Sequence, residues 1–340
     1  MPQPPALKAS LKRGAFVAAA NWPLIAVQFI AEGTLKLLLA VPVVGGIFLV
    51  VLLLGADVED IMAGDVRQIV GSVFGALGDN PAALTAFGAA FVLVMLGGSL
   101  LTFVVKGGTV AILAAAEAQA GPIERPPLRL AALRRANLTG IEPFLDGCWA
   151  LWRRYVKLGL CLLLAYTATA AVYLGLVFGG YALVGNSGVL LGWTFATALA
   201  SSALVVWLTI VNFLYLLTQM AIAVEDLGVR EGMARVAQFI RASTREVAGI
   251  FGIVLMLVAL ATIASILATA GLGLIAFIPL VGLAIVPLQA AAWLVRGFVF
   301  EYLALTALGA YLTQYRYYLH SLAAVRAHEA ASEISGQRLA

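Results

Sequence analysis

The chain has 340 residues, of which 63% are hydrophobic and only 11% are charged, and its mean hydropathy is +1.02. In soluble domains about a quarter of the residues are charged, so this composition excludes an ordinary soluble protein and indicates a polytopic membrane protein. The net charge is +4. No basic face on a soluble module accompanies that charge, so we expect no nucleic-acid partner.

Six long apolar runs follow one another along the chain, and each is long enough to cross a bilayer, which takes about 20 residues. The runs are uniformly apolar rather than alternating, so they predict helices and not barrel strands. The expected fold class is all-α, a transmembrane helical bundle in one integral membrane domain over 1–340. The predicted spans are about 24–55, 83–105, 156–184, 190–222, 247–270 and 283–315, and 320–340 is a polar tail.

Lysine and arginine are concentrated in every second connection. The connections 106–157 and 223–246 are basic, whereas the first has a single Arg67 and those around 184–188 and 271–273 have none. Basic residues also lie near both ends of the chain. The positive-inside rule therefore predicts cytoplasmic termini, with the lipid bilayer as partner and anionic lipids at its cytoplasmic face.

The stretch from Gly271 to Leu319 has two interpretations. It holds either two spans with a turn at Arg296-Gly297, or a short entry segment over 271–282 followed by one long helix. Two spans would put the basic tail outside, so the single helix is favoured. Pro287 then falls in its first turns, where proline disturbs a helix least.

Three connecting stretches, 59–78, 143–157 and 229–243, repeat apolar residues at helical spacing. Such amphipathic helices lie at the headgroup level. We interpret them as lipid-lying connectors, with a docking surface for a partner as the alternative. In 229–243 the apolar stripe consists of Val229, Met233, Val236 and Ile240.

A weak internal repeat is visible at the entry to the spans. Arg154 and Arg245 each close an amphipathic stretch and open a span, and residues 12–35 form a more divergent copy. The pattern predicts a three-fold repeat of one surface helix plus two spans. The shared requirement of entering a membrane is the alternative explanation.

Polar side chains inside apolar runs are costly unless they are paired, so each is a candidate site. Several have a simpler interpretation. Glu32 and Lys36 are spaced for a helical ion pair at the interface, and Asn212 and Gln219 for hydrogen bonds between helices. The guanidinium of Arg296 can reach the membrane surface. A charged residue deep in the last span has either a structural role or a proton- or solute-linked one. The candidate intramembrane polar site consists of Glu32, Lys36, Asn212, Gln219, Arg296 and Glu301.

No catalytic or cofactor motif stands out. The two cysteines, Cys148 and Cys161, and the two histidines, His320 and His328, have no metal-ligand spacing. We therefore expect no catalytic residue, no metal and no cofactor, and hence no enzyme.

The passage 223–232, Ala-Val-Glu-Asp-Leu-Gly-Val-Arg-Glu-Gly, followed by Phe239-Ile240-Arg241, carries a family resemblance. It resembles the junction of the fourth and fifth spans in uncharacterised six-span bacterial inner-membrane proteins. Those proteins are similar to the membrane domain of some glycerophosphodiester phosphodiesterases. The resemblance implies a six-span fold in the inner membrane, and it carries over no catalytic residue.

Two functions are compatible with these features. The favoured one is a non-enzymatic structural or accessory protein that organises lipid or a membrane complex, with a second copy or another membrane protein as its partner. The alternative is a transporter or channel for a small or amphiphilic solute, which would use the intramembrane polar residues.

Overall fold

The structure is a computed structural model, and it describes residues 5–54, 78, 80–125, 127, 130–184, 190–276 and 281–337. Nine helices are present in this part of the chain, and none of its residues is in a strand. The helices are α1 (Leu7–Ala20), α2 (Trp22–Leu54), α3 (Pro81–Gln119), α4 (Leu130–Ala136), α5 (Ile141–Val184), α6 (Leu190–Glu225), α7 (Val229–Ala242), α8 (Thr244–Ala276) and α9 (Val281–Gln337).

Six of these helices, α2, α3, α5, α6, α8 and α9, are long and apolar enough to cross a membrane. This confirms the predicted all-α bundle with six spans. Several are longer than predicted: α9 has 57 residues, which is about 85 Å of helix against about 30 Å of hydrocarbon. The helices therefore extend well beyond the bilayer core.

The long last helix continues through Arg296 and Gly297 without a break, as the single-helix interpretation requires, and Pro287 lies in its early turns. The short entry segment predicted over 271–282 is wrong in its first half. Residues 271–276 are the last turns of α8, because an apolar glycine-containing sequence surrounded by lipid still satisfies its backbone best as a helix.

The predicted amphipathic stretches differ in the structures they form. Residues 143–157 are the first turns of α5 itself, and 229–242 form the separate helix α7. On α7, Val236 is buried, but Met233 is 56% exposed, so only part of the apolar stripe packs against protein. The stretch 59–78 lies outside the described residues, apart from Gly78.

The chain divides into two compact units, residues 27–105 and residues 1–26 with 106–340. In the smaller unit, α2 and α3 pack in antiparallel fashion. Gly98 leaves room for the side chain of Leu35, and Gly46 leaves room for the ring of Phe87.

In the larger unit, three helix crossings depend on glycine. Gly14 of α1 lies against the backbone of α9 at Gly309, and a Cβ on Gly14 would be 2.4 Å from the carbonyl oxygen of Thr306. Gly108 of α3 and Gly147 of α5 approach each other in the same way. Gly232 of α7 packs against Ile222 of α6. Small residues allow such close approach of helix backbones.

Helices α5 and α6 form a hairpin with polar contacts at successive levels. The hydroxyl of Tyr155 donates to the carbonyl oxygen of Gln219 at 2.8 Å. Farther along, the indole of Trp207 donates to Thr169 at 3.1 Å, and the Tyr173 and Ser201 hydroxyls are 2.6 Å apart. Each such contact contributes about 1 kcal/mol or less in a membrane.

Burial in the larger unit is concentrated at one end of the spans. The largest fully buried side chains include Tyr155, Phe239, Ile250, Tyr311 and Tyr315. By contrast, no residue is buried in the most apolar stretch of α5 or of α6. These stretches present their surface to the surrounding membrane.

Helices α1 and α7 are built alike. Each has 14 residues, and a single non-helical residue, Asn21 or Ser243, separates it from a long span. Asn21 is fully buried. Its amide donates to the carbonyls of Val17 and Ala136, and its oxygen accepts from the Leu138 N–H and the Thr139 hydroxyl. Asn21 therefore fixes the α1–α2 break to the α4–α5 connection.

We predict that Gly14→Ala destabilises the protein by about 1–3 kcal/mol, because the added methyl group must displace the α9 backbone. The free energy of unfolding in detergent micelles measures the effect. Gly252→Ala in α8 is the matched control, since a Cβ there meets no atom within 4 Å. Equal stability of the two variants would contradict the close crossing.

Candidate functional site

Charged and hydroxyl side chains cluster at the packed end of the larger unit. We call this cluster the charged layer, and its residues come from α1, α3, α5, α6, α7 and α9 and from the residue that follows α6. Its members are Arg13, Glu117, Arg154, Glu225, Asp226, Arg235, Tyr315 and Arg316.

Glu117, near the end of α3, is the most buried carboxylate of the layer, with a side chain only 4% exposed. Arg13 of α1 donates from Nε to Glu117 Oε1 at 2.8 Å and from Nη2 to the Glu117 carbonyl at 2.8 Å. Arg316 of α9 places Nε 2.9 Å from Glu117 Oε2, close enough for an ion pair but not aligned for a hydrogen bond. One acid thus joins three helices.

Both arginines have further anchors. Arg13 also donates to the carbonyl of Gly121 and, at 3.0 Å, to Glu124, so it holds the loop that follows α3. Arg316 donates from Nη2 to the Ala114 carbonyl at 2.7 Å. Two guanidinium groups are therefore balanced by the carboxylates of Glu117 and Glu124.

Glu225, the last residue of α6, is the second centre. It pairs with Arg235 of α7, Nε to Oε2 at 3.2 Å, and accepts a hydrogen bond from the hydroxyl of Tyr315 in α9. The Tyr315 ring packs edge-on against Phe239, with centroids 5.1 Å apart. Polar and aromatic contacts therefore fix α6, α7 and α9 to one another.

Asp226 extends the layer to α5. It accepts from the guanidinium of Arg154, and its side chain is 80% exposed. The hydrogen bond and charge of Arg154 lower the pKa of the Asp226 carboxyl. A lowered pKa means that the pair stabilises the fold above the ordinary carboxyl pKa, and that this contribution is lost as the pH falls through the lowered value. Solvent screening keeps the contribution small.

The two centres have matching positions. Arg13 and Arg235 each lie six residues after the start of their 14-residue helices. Each pairs with a glutamate at the end of a span, Glu117 or Glu225. The two glutamates differ in topological position, since Glu117 ends the second span after α1 whereas Glu225 ends the span directly before α7. The three-fold repeat therefore stays a prediction.

The predicted site residues lie elsewhere. In the smaller unit, Glu32 and Lys36 are brought together, with Lys36 Nζ 3.9 Å from Glu32 Oε2. The Lys36 side chain is 72% exposed, which is typical of a weak helical ion pair.

Asn212 is exposed on α6 and accepts a hydrogen bond from Tyr166 of α5. The structure thus places it among the polar contacts of the α5–α6 hairpin. Gln219, seven residues on, is only 2% exposed, and its amide nitrogen has no hydrogen-bond partner among the described residues.

Arg296 is exposed on α9, and its guanidinium lies 5.7 Å from the centroid of the Phe300 ring. Glu301 is half-buried. The neighbouring Tyr302 donates to the Ala15 carbonyl of α1 at 3.2 Å. Of the six predicted residues, Glu32 and Lys36 contact each other and Asn212 contacts Tyr166, and none of the six is among the residues of the charged layer.

Sequence reasoning missed Glu117 and its two arginines as a site. The sequence predicts that the second span ends at about 105, before Lys106, and so places Glu117 in a connection. The structure continues α3 to Gln119. The available signal was the uninterrupted apolar spacing of Val110, Leu113 and Ala116, which continues the helix up to the glutamate.

The chemistry of the charged layer is mutual neutralisation, because each carboxylate is held by an arginine. Among the described residues, no group of three His, Cys, Asp or Glu side chains is placed to hold a metal ion. Comparison with protein-family models, curated proteins and solved structures finds no match to the chain.

We predict that Glu117→Gln destabilises the protein by about 3 kcal/mol, because it leaves two partly buried guanidinium groups without their shared counter-charge. Unfolding by SDS in mixed micelles measures this loss. Asp226→Asn is the control and should change little, because that pair is exposed. A similar loss in both variants would show that burial of Glu117 does not matter.

Proposed function

We propose that this multi-pass membrane protein is a non-enzymatic structural or accessory protein of a bacterial inner membrane, and that it organises lipid or a membrane complex. The observation that carries the proposal is the uneven distribution of burial. The helices are packed and paired at the charged layer, while the most apolar stretches of α5 and α6 have no buried residue. A protein of this kind offers a large apolar surface to lipid or to the spans of a partner.

The basic connections support a cytoplasmic position for the charged layer, since most of its residues lie in the basic N-terminal segment or in the basic connections 106–157 and 223–246. The similarity of 223–232 to six-span inner-membrane proteins agrees with this location and stays a prediction. Anionic lipids are the proposed partners, because exposed basic side chains at this end attract an anionic leaflet.

We expect the full-length chain to unfold at a higher temperature in vesicles that contain phosphatidylglycerol than in phosphatidylcholine alone. We also expect labelled phosphatidylglycerol to diffuse more slowly than labelled phosphatidylcholine as protein density rises, because the protein holds anionic lipid around its spans. Thermal unfolding and fluorescence recovery in proteoliposomes measure both. Identical behaviour in the two lipids would contradict a lipid-organising role.

A transporter or channel is the second candidate, and one observation favours it. The buried Gln219 amide nitrogen and Thr306 hydroxyl have no hydrogen-bond partner among the described residues. An unsatisfied buried polar group costs about 1–3 kcal/mol, and a bound polar solute would supply the missing partner. In the same proteoliposomes, a solute-dependent rise in unfolding temperature that is absent in Gln219→Leu would favour this candidate. No response to amino acids, sugars or inorganic anions would count against it.

A further inference from the structure

The first turns of α5 have one face packed on protein and one face exposed. Gly147, Cys148, Leu151 and Tyr155 are buried. The opposite face exposes Ile141, Leu145, Trp149 and Trp152, and Trp149 is 75% exposed. No part of the described chain covers this outward face.

The position of this face along α5 determines its depth in the bilayer. Helix α5 continues without a break from this face into its apolar span, where Leu160 and Leu164 are also exposed. The stretch from 160 to the end of α5 at Val184 is about 37 Å long, enough to cross about 30 Å of hydrocarbon. Residues 149–157 then occupy about 12 Å just outside it, at the depth of the headgroups. Tryptophan is enriched at that depth.

The exposed charged side chains at this depth are basic. Arg153 and Lys157 are exposed and one helical turn apart, and no carboxylate of the described chain lies within 4.0 Å of either one. The Arg153 guanidinium lies 5.4 Å from the centroid of the Trp152 ring, so its position is fixed beside an aromatic face. The adjacent Arg154 differs, because it is paired with Asp226.

Acidic residues on the same helix lie farther from the span. Asp146 and Glu142 are exposed, but Asp146 precedes Arg153 by about 10 Å along the axis. Between Trp149 and Lys157 the helix carries only positive charge.

We propose that Trp149, Trp152, Arg153 and Lys157 form a binding site for the headgroup of an anionic phospholipid. The two basic groups hold the phosphate, and the two indoles, which lie farther from the span on the same helix, pack on the outer part of the headgroup. This inference rests on the proposed lipid-organising function and assigns it a location. If the site fails while the whole protein still prefers anionic lipid, only this inference is wrong.

The test uses the full-length protein in phosphatidylcholine nanodiscs, with tryptophan quenching by lipid that carries a nitroxide on its headgroup. A Trp149→Phe/Trp152→Phe variant identifies the emission that comes from these two indoles. Headgroup-labelled phosphatidylglycerol should quench that emission at a mole fraction about fivefold or more below that of headgroup-labelled phosphatidylcholine. In Arg153→Gln/Lys157→Gln this preference should disappear, since each basic group near the surface changes binding about fivefold.

The control variant Arg134→Gln/Arg326→Gln removes the same charge from exposed positions on α4 and α9 and should keep the preference. An equal loss in this control would show that net charge, not the site, attracts the lipid. Absence of quenching by either lipid would show that the indoles lie outside the bilayer, and it would overturn the proposal. Unchanged unfolding temperatures confirm that the exposed substitutions leave the fold intact.

Discussion

A buried carboxylate between two arginines is the interaction on which the larger unit depends. Glu117 takes its charge out of water, which is costly, and the ion pairs with Arg13 and Arg316 offset that cost. Because these partners lie on α1, α3 and α9, the requirement for pairing brings together helices that are far apart in sequence. Glu225 repeats the arrangement with Arg235 and Tyr315. Hydrophobic packing in the spans has no such specificity, since lipid is as apolar as leucine.

The difference between specific ion pairs and non-specific apolar packing explains the architecture of the larger unit. Close crossings at Gly14 and Gly108 and the ion pairs are at the packed end, where the helix backbones approach and aromatic rings fill the space. Beyond it, the α5–α6 hairpin is held by weak polar contacts such as that of Trp207 with Thr169. The apolar surface of this hairpin has no buried residue in its most apolar stretches, as the proposed lipid-organising function requires.

Much of the fold could be predicted from the sequence, because long apolar runs have one stable structure in lipid. The six spans and the continuous last helix follow from run length and from the basic connections. The charged layer could not be predicted, since partners such as Arg13 and Glu117 are 104 residues apart in sequence and no local pattern pairs them. Depth and helical spacing predict the polar residues, but neither identifies a partner on another helix. Depth indicates that Asn212 needs a partner, but only the structure identifies Tyr166 as that partner.

The most direct measurement is a double-mutant cycle on Arg13 and Glu117, with the free energy of unfolding determined for Arg13→Gln, Glu117→Gln and the double variant. If the pair holds the helices together, the double variant should lose less stability than the sum of the single ones, with a coupling of about 1–3 kcal/mol. Additive losses would show that the two side chains act independently. The charged layer would then not be what assembles the larger unit.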